Sequence, residues 1–388
     1  MKLTINRDRL ADIVTRGVSN APKNSPSMIA NNARITVRDG KLSVASTDFD
    51  MMVEASGECQ MERGGVTTVD AAKLKMTVDR LPKSVEVTLS YDDSKHNLIM
   101  KAGRSRVTFP TLAAEDWPAR VMKMEGAEFK LSGADLTRLF GHTAQALSPA
   151  PGSPMSGVFL HVRETEKAPL LAAVGTTGMI LILATITAPK GAENMPHRQG
   201  QPAGVILSAE TVNSVLRLFR SAEEVHVIVN ESSIFFRTGD VHFCSAMLVG
   251  TYPNYQPLVS TPSETRVLVD RTLCINTVSL LEPFASKELG HRLQCAGSDE
   301  GFVVAVGSQT GGGVDVVEAE IDGEVQAFGI SGQFMKTMLN SFKTETIAMH
   351  PDARARRVMF QSDGEPDLIG VIAMMNISTE LAEGPKHE

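Results

Sequence analysis

The chain has 388 residues, of which 42% are hydrophobic and 5% aromatic, and its formal net charge is −7. This length allows two to four domains of roughly 100 to 200 residues each, and the composition is typical of a folded globular protein. The four cysteines, Cys59, Cys244, Cys274 and Cys295, lie far apart without a Cys-x-x-Cys pair, which argues against a disulfide framework or a zinc knuckle. We therefore expect a reduced, cytoplasmic protein.

The sequence predicts no export signal and no membrane span. The N-terminus lacks the apolar run of a signal peptide, and no segment reaches the roughly 18 uninterrupted apolar residues of a membrane span. Residues 379–388 are polar and include Gly384-Pro385. We predict a disordered tail over 379–388 and no membrane partner.

Two patterns recur three times each along the chain. In the first, a short alternating strand leads through a polar cap into a helix, over stretches 6–17, 132–145 and 270–282. The second pattern covers stretches 70–80, 208–220 and 331–343. Trp117-Pro118 and Tyr252-Pro253 each follow a predicted strand, and we interpret them as linkers between domains, because proline cannot continue the hydrogen bonding of a β-sheet. The sequence therefore predicts three similar domains at residues 1–119, 120–260 and 261–378.

Hydrophobic periodicity indicates the layering within each domain. The helical stretches place apolar residues three and four apart, as in Leu10, Ile13 and Val14, so one face packs and the other is free. The segments between them alternate like half-buried strands, and Asp39-Gly40 and Asp92-Asp93 are hairpin turns. We predict an α+β fold in which two helices per domain pack on antiparallel sheets.

The charge distribution separates the helices from the rest of the chain. The six helical stretches together carry a net charge of +4, whereas the whole chain carries −7. Weakly basic helices on an acidic protein are consistent with contact to a polyanion on one face. The alternative is that these are ordinary solvated helix faces.

Several short motifs resemble one known family when their order and spacing are taken together. In the first domain these are Asp39-Gly40-Lys41-Leu42-Ser43-Val44, Thr47-Asp48-Phe49-Asp50, Thr67-Thr68-Val69 and Gly103-Arg104-Ser105-Arg106, which leads to Glu115-Asp116; the second domain adds Tyr252-Pro253-Asn254-Tyr255. The chain resembles the bacterial sliding clamp, the beta subunit of DNA polymerase III, from residue 1 to about 377.

The resemblance implies a head-to-tail homodimer whose six domains close a ring around double-stranded DNA. Twelve helices would line the hole, and contacts to phosphate should be weak and independent of sequence, because a clamp is retained by topology while it slides. Implied DNA-facing residues are Lys23, Asn24, Arg80, Arg138, Arg217, Arg220 and Lys336. The family often has arginine at the position of Asn24, so Lys23 is a candidate substitute there.

The resemblance also implies a hydrophobic groove between the second and third domains, into which DNA polymerases and the clamp loader insert a short linear peptide. The implied groove residues are Met155, Thr176, Gly178, Met179, Ile180, Leu181, Pro253, Leu258, Ser331, Phe334, Val371, Ile372, Met374, Met375 and Ile377. An apolar pocket of this kind suits an extended peptide with apolar anchors.

The chain departs from the family at this groove. It has Thr177-Gly178-Met179-Ile180-Leu181 where the family commonly has Asp-Gly-His-Arg-Leu, and Ala373-Met374-Met375-Asn376-Ile377 where the family commonly has Met-Pro-Met-Arg-Leu. Methionine in place of charge makes a groove more apolar and more adaptable. We expect a divergent clamp with altered partner preference; the alternative is that Met179 and Ile180 are core strand residues.

For dimerisation, the family pairs the first domain of one subunit with the third domain of the other. Candidate interface residues here are Lys73, Val107, Leu281 and Phe284.

An enzyme is the competing class, but no catalytic arrangement supports it. Asp48 and Asp50 could hold a metal, although capping of a turn is the simpler interpretation, and no third ligand is near in sequence. No His-x-x-x-His or Gly-x-Ser-x-Gly motif occurs, and Gly311-Gly312-Gly313 fits a hairpin tip better than a phosphate loop. We predict no catalysis, metal or cofactor. The second hypothesis is a specialised clamp paralogue or a protein-binding scaffold that no longer encircles DNA.

Overall fold

The computed structural model describes residues 1–22, 25–118, 124–197, 200–308 and 311–377. Its helices are α1 Arg7–Gly17, α2 Ala71–Arg80, α3 Gly133–Phe140, α4 Ala209–Phe219, α5 Gln256–Val259, α6 Arg271–Leu281 and α7 Gly332–Ser341. Lys23, Asn24, the predicted boundary at Ala119 and the predicted disordered tail 379–388 lie outside the described residues.

The strands fall into three series. The first series is β1 Lys2–Asn6, β2 Asn32–Arg38, β3 Lys41–Thr47, β4 Met51–Glu58, β5 Gln60–Arg63, β6 Gly65–Asp70, β7 Glu86–Asp92, β8 Asn97–Ala102 and β9 Ser105–Leu112. The second is β10 Ala127–Leu131, β11 Gly157–Arg163, β12 Leu170–Thr176, β13 Ile180–Thr187, β14 Gly204–Ser208, β15 Val225–Val229, β16 Ser233–Thr238 and β17 Val241–Ala246. The third is β18 Arg266–Asp270, β19 Arg292–Ser298, β20 Gly301–Ser308, β21 Gly311–Val317, β22 Ala319–Asp322, β23 Phe328–Ser331, β24 Thr346–Asp352, β25 Arg357–Gln361 and β26 Leu368–Ala373.

The order of elements repeats three times. Each series runs strand, helix, strands, a second helix and three final strands, with β5 and β22 as additional strands and α5 as a short connecting helix. All strand pairs are antiparallel, so the predicted α+β class is confirmed. The predicted polar caps are also present: Asn6, Ser132 and Asp270 each accept a backbone N–H near the start of α1, α3 and α6.

Two compact units make up the chain. Unit 1 comprises Met1–Thr137, Pro189–Arg198 and Glu210–Met247, and it contains a 13-stranded sheet in the order β10-β15-β16-β17-β4-β3-β2-β6-β9-β8-β7-β1-β5. Unit 2 comprises Arg138–Ala188, Gln199–Ala209 and Leu248–Glu388. It contains a nine-stranded sheet, β14-β11-β12-β13-β26-β25-β24-β18-β22, and a four-stranded sheet, β21-β20-β19-β23.

Consecutive repeats are joined by strand pairing inside each unit. In unit 1, β4 of the first repeat pairs with β17 of the second, with Met52 opposite Cys244; we call this joint 1. In unit 2, β13 pairs with β26, with Leu181 opposite Val371; we call this joint 2. Each joint is therefore a continuous sheet, which explains why the middle repeat is shared between the two units.

The long helices bury one apolar face, as their periodicity predicts. Leu10, Ile13 and Val14 of α1 are each 1% exposed. α1 also approaches β3 closely at Gly17, where an added Cβ would lie 2.3 Å from the Val44 carbonyl oxygen, so only glycine fits. In unit 1 the rings of Phe219, Phe236 and Phe243 form a further packed series with centroids 6.0 and 6.2 Å apart.

Two local predictions differ from the structure. The helical stretch expected over 132–145 ends as an α-helix at Phe140, and a separate 3-10 turn covers Thr143–Ala146. The glycine run expected at a hairpin tip is instead the start of β21, where Gly311, Gly312 and Gly313 pair with β20. An added Cβ on Gly312 would lie 2.4 Å from the Val306 carbonyl oxygen, so close approach between the strands accounts for glycine there.

Candidate functional site

The predicted groove residues all lie in unit 2, and four of them, Ile180, Leu181, Val371 and Ile372, pair with one another in joint 2. The hairpin between β12 and β13 forms one end of the site. Thr176 Oγ1 donates to the Ile180 carbonyl oxygen at 2.8 Å and accepts the Gly178 N–H at 3.0 Å. Gly178 has φ +90°, a conformation that favours glycine. The turn holds Met179 outward, with 42% of its surface exposed.

The strand residues of the predicted groove separate onto two faces, because side chains alternate along a strand. Leu181 and Val371 pack in one cluster with Tyr252 and Tyr255. Ile180 and Ile372 belong to another core cluster and are at most 2% exposed. The alternative interpretation of Ile180 as a core strand residue is therefore confirmed, whereas Met179 is a surface residue.

Around this sheet lies a set of incompletely buried apolar side chains. Leu258 in α5 is 40% exposed, and Phe334 and Met374 pack partly buried against the core that contains Ile372. Further half-buried apolar members of the predicted set are Met155, Met375 and Ile377. Pro253 is exposed and Ser331 is buried at the start of α7. The site presents apolar surface with little charge among these side chains, which suits an apolar ligand.

Backbone bonds and arginine side chains fix the segment after β26. The N–H groups of Met374 and Met375 donate to the carbonyl oxygens of Arg356 and Gly329, each at 2.8 Å. Arg356 Nη2 lies 2.6 Å from Asn376 Oδ1, and Arg292 Nη1 lies 2.6 Å from the Asn376 carbonyl oxygen. Both methionines are therefore held in place by their main chain while their flexible side chains stay partly exposed.

A buried aromatic cluster, which the sequence analysis did not predict, packs against Leu181 and Val371 of the predicted groove. Phe159 stacks on His161 at 4.4 Å between ring centroids and on Tyr252 at 5.1 Å. His161 Nε2 lies 2.8 Å from the Tyr255 hydroxyl. Burial lowers the pKa of His161 to about 4, so the ring is neutral at physiological pH. The signal was a single histidine within the apolar strand Gly157–Arg163.

Arg357 is a second residue that sequence reasoning missed. The residue is 7% exposed, and its Nη1 and Nη2 donate to the carbonyl oxygens of Pro257 and Thr261 at 2.9 and 2.8 Å. Asp352 lies 3.9 Å from Arg357 Nε. The guanidinium therefore ties the segment that carries Leu258 to strand β25.

Joint 1 has the same backbone frame as joint 2 but buries the side chains at two of the equivalent positions. Thr47 Oγ1 donates to the Met51 carbonyl oxygen at 2.7 Å, just as Thr176 Oγ1 donates to the Ile180 carbonyl oxygen in joint 2. The Ala246 N–H donates to the Asp50 carbonyl oxygen, and in joint 2 the Ala373 N–H donates to the Met179 carbonyl oxygen. The repeat places Thr211 and Met247 where joint 2 has Phe334 and Met374. Thr211 is fully buried and Met247 is 9% exposed. The open apolar site is therefore a property of joint 2 side chains, not of the shared frame.

Two of the predicted DNA-facing cations are held by carboxylates. Arg138 pairs with Asp367 and with Glu365, whose Oε1 lies 2.9 Å from Arg138 Nη1. Lys336 Nζ lies 2.5 Å from Glu282 Oε2. Burial alone would raise the pKa of Glu365, but backbone N–H groups and Arg138 hold the pKa of that carboxyl below its usual range. Arg80, Arg217 and Arg220 are exposed on unit 1 helices or their ends.

The dimer candidates divide by exposure. Lys73 and Val107 line one surface cleft of about 440 Å³ between α2 and β9. Phe284 is 42% exposed, but Leu281 is only 3% exposed and belongs to the core. The neighbouring Leu280 is 62% exposed, so it offers the surface that was expected of Leu281.

Asp48, one of the two carboxylates considered for a metal site, stabilises a turn instead. Asp48 Oδ1 accepts the N–H groups of Asp50 and Met51 at 3.1 and 2.7 Å, which is the capping role proposed as the simpler interpretation. Within the described ranges, no group of three or more His, Cys, Asp or Glu side chains could hold a metal. No helix in the part of the chain that the structure describes is long and apolar enough to cross a membrane.

Comparison with known proteins agrees with this architecture. The family model for the N-terminal domain of the DNA polymerase III beta subunit matches residues 1–122. The beta sliding clamp of Caulobacter vibrioides strain NA1000 is 28% identical over 340 residues, which cover 86% of this chain and 89% of that protein. The beta sliding clamp of Pseudomonas putida strain KT2440 is 24% identical over 383 residues, which cover 97% and 100%.

Solved structures show the same fold. The DNA polymerase sliding clamp of Caulobacter crescentus has a TM-score of 0.89 at 24% identity, over 97% of this chain and 100% of that chain. The sliding clamp of Bartonella birtlesii, solved bound to griselimycin, has a TM-score of 0.90 at 21% identity over the same shares. The class of protein is thus one with the fold of the DNA sliding clamps. The chain is therefore similar along most of its length to bacterial beta sliding clamps, and its first 122 residues match the N-terminal domain of the DNA polymerase III beta subunit.

Proposed function

We propose that this chain is a DNA sliding clamp and processivity factor. Two copies would close head to tail into a ring around double-stranded DNA, and the site at joint 2 would bind short linear peptides of DNA polymerases and the clamp loader. The observation that carries the proposal is the contrast between the joints. They share one backbone frame, but joint 2 has the partly buried Phe334 and Met374 where joint 1 has the buried Thr211 and Met247.

The groove offers enough apolar surface for a useful affinity. A micromolar complex corresponds to about 8 kcal/mol, and burying one Leu or Phe side chain contributes about 1.5 to 3 kcal/mol. Because association itself costs several kcal/mol, an extended peptide needs several such anchors. Met179, Leu258 and Phe334 are exposed or half-buried partners for them. The flexible methionines favour adaptable contacts over one fixed shape.

Strand pairing supports a dimer. β17 and β26, the last strands of the second and third repeats, each have a partner in the preceding repeat. Along Ser105–Pro110, β9 of the first repeat pairs only with β8 among the described residues. In the third repeat, β21 forms the edge of the four-stranded sheet. A second copy of the chain supplies the missing partner for both strands, and two such joints close a ring.

The remaining features are consistent with a cytoplasmic, non-catalytic protein that binds no cofactor. The helices are only weakly basic, and a protein that must slide requires phosphate contacts that are weak and independent of sequence. Asp48, which was considered with Asp50 as a metal ligand, caps a turn.

Binding of a labelled Gln-Leu-Ser-Leu-Phe peptide, followed by fluorescence anisotropy, tests the groove. We expect a micromolar Kd for the wild type and at least roughly tenfold weaker binding for Met374→Asp, because a carboxylate among apolar anchors must be desolvated. Met61→Asp is the matched control: Met61 is 41% exposed on the edge strand β5 in unit 1, so the same substitution there should leave the Kd unchanged.

Failure to bind would change the proposal in a defined way. If the wild type bound no such peptide while it remained on circular DNA after loading, a specialised clamp with a different ligand would replace the general one. If it was also not retained on circular DNA, the scaffold hypothesis would be favoured instead.

A further inference from the structure

Carboxylates compensate the predicted DNA-facing cations of unit 2. Glu282, at the end of α6, meets Lys336 of α7 at 2.5 Å, and the two side chains are 21% and 33% exposed. Arg138 at the end of α3 meets both Asp367 and Glu365. The first group has no net charge, and the second has a net charge of −1.

The corresponding cations of unit 1 lack such partners. None of the ion pairs between described residues involves Arg80, Arg217 or Arg220. Arg217 is nevertheless oriented: its Nη2 donates to Ser214 Oγ at 3.0 Å and to Asn20 Oδ1 at 3.3 Å. Because both acceptors are neutral, they fix the guanidinium without cancelling its charge.

This difference matters for a polyanion. A phosphate near an isolated arginine gains Coulomb energy, whereas a phosphate near Arg138 also meets the two carboxylates that hold it, and the attraction is lost. Each phosphate contact that releases counterions steepens the dependence of log K on log salt by about 0.9 for duplex DNA. Compensated pairs should therefore contribute nothing to that slope.

We infer that Glu282, and Asp367 together with Glu365, act as built-in restraints on DNA affinity, so that phosphate contact is carried by Arg80, Arg217 and Arg220 of unit 1. Removing the Glu282 carboxylate converts Lys336 from a silent cation into a DNA contact and strengthens binding, whereas Arg138 keeps Glu365 as a partner when Asp367 is removed. This inference rests on the proposed clamp function, and it extends that function by assigning which side chains touch the phosphates and which are prevented from doing so.

The test is a salt titration of binding to a labelled 30-base-pair duplex, followed by fluorescence anisotropy. Glu282→Gln and Asp367→Asn are nearly isosteric and each add one positive charge. We expect Glu282→Gln to bind DNA more tightly than wild type and to steepen the salt slope by up to about 0.9, which is about 3.5-fold more affinity lost between 50 and 200 mM salt. Asp367→Asn leaves Arg138 paired with Glu365 and should not steepen the slope. Arg217→Ala and Arg220→Ala should each reduce the slope by a similar amount, whereas Arg138→Ala should not reduce it.

Glu320→Gln is the charge-matched control. Glu320 is exposed on β22, an edge strand of the nine-stranded sheet, so this change adds the same charge without freeing a cation on a helix. Equal tightening by Glu320→Gln would show a general effect of net charge and would overturn the inference. It would also be overturned if wild type bound duplex with a measurable salt slope that Glu282→Gln left unchanged.

The failure of the proposed function has a different signature. If wild type, Glu282→Gln and Asp367→Asn all failed to bind duplex at any salt concentration, both the clamp function and the restraint would be refuted. Circular dichroism of each variant establishes that the fold is retained, and Glu365 is left unchanged because its carboxylate also accepts the Lys343 N–H at 2.6 Å.

Discussion

At the residue scale, His161 shows how a buried titratable group sets the pH range of a protein. The ring is fully buried and its pKa is lowered to about 4 in the folded state, from an ordinary value of 6.5. The unfolded chain therefore binds a proton between pH 6.5 and 4 that the folded chain does not, so stability falls as pH falls through this window. The loss attributable to His161 reaches about 3 kcal/mol at pH 4.

We expect His161→Phe to flatten the pH dependence of the urea unfolding midpoint between pH 7 and 4. The variant keeps the stacking partner of Phe159 but leaves the Tyr255 hydroxyl without its hydrogen-bond partner, so it should lose about 1 to 2 kcal/mol at pH 7. His197→Gln removes an exposed histidine instead and should keep the wild-type profile. An unchanged acid dependence in His161→Phe would mean that other groups dominate.

At the element scale, the segment Pro257–Thr261 is positioned by one buried guanidinium. Arg357→Met would leave the carbonyl oxygens of Pro257 and Thr261 without their donors, and we expect a loss of about 3 kcal/mol in the free energy of unfolding. Peptide affinity should fall as well, because the loosened segment carries Leu258. Urea unfolding and peptide anisotropy measure the two effects.

Arg354→Met provides the comparison on the same hairpin. Arg354 is exposed, and the same substitution there should cost less than about 0.5 kcal/mol. If Arg357→Met destabilised the chain without changing peptide affinity, Arg357 would support the fold alone and not the groove.

The elements themselves were largely predictable, whereas the site was only partly so. Apolar residues spaced three to four apart, together with the capping residues, indicate every long helix, and apolar residues spaced two apart indicate the strands. These signals are local in sequence. The ion pairs of Arg138 and Lys336 were not predictable, since their carboxylate partners Asp367 and Glu282 are distant in sequence. The burial of Ile180 was not predictable either, because only the pairing of β13 with β26 decides which face of the sheet is covered.

At the scale of the whole molecule, the repeat predicts the register of a joint between two copies. Glu54, Leu183 and Val314 occupy equivalent positions, opposite Ala45, Val174 and Ala305 of their preceding strands. In joint 1, Glu54 lies opposite His242 of β17. In the β16–β17 hairpin His242 lies opposite Arg237, and in the β8–β9 hairpin Arg106 lies opposite Lys101. Arg106 of β9 is therefore equivalent to His242 of β17. Arg106 of one copy should therefore lie opposite Val314 of the other.

A cysteine pair tests this register directly. Arg106 is exposed and Val314 is 47% exposed, so both substitutions are tolerable in the single chain. In the variant Arg106→Cys/Val314→Cys, oxidation should yield a covalent dimer on a non-reducing gel, because directly opposed Cβ atoms on neighbouring antiparallel strands come close to disulfide distance. Arg106→Cys/Val316→Cys shifts the pair by two residues and should cross-link far less. Equal yields from the two variants would contradict the predicted register, and a monomeric mass for wild type at micromolar concentration would contradict the ring, since neither strand would then have found its partner.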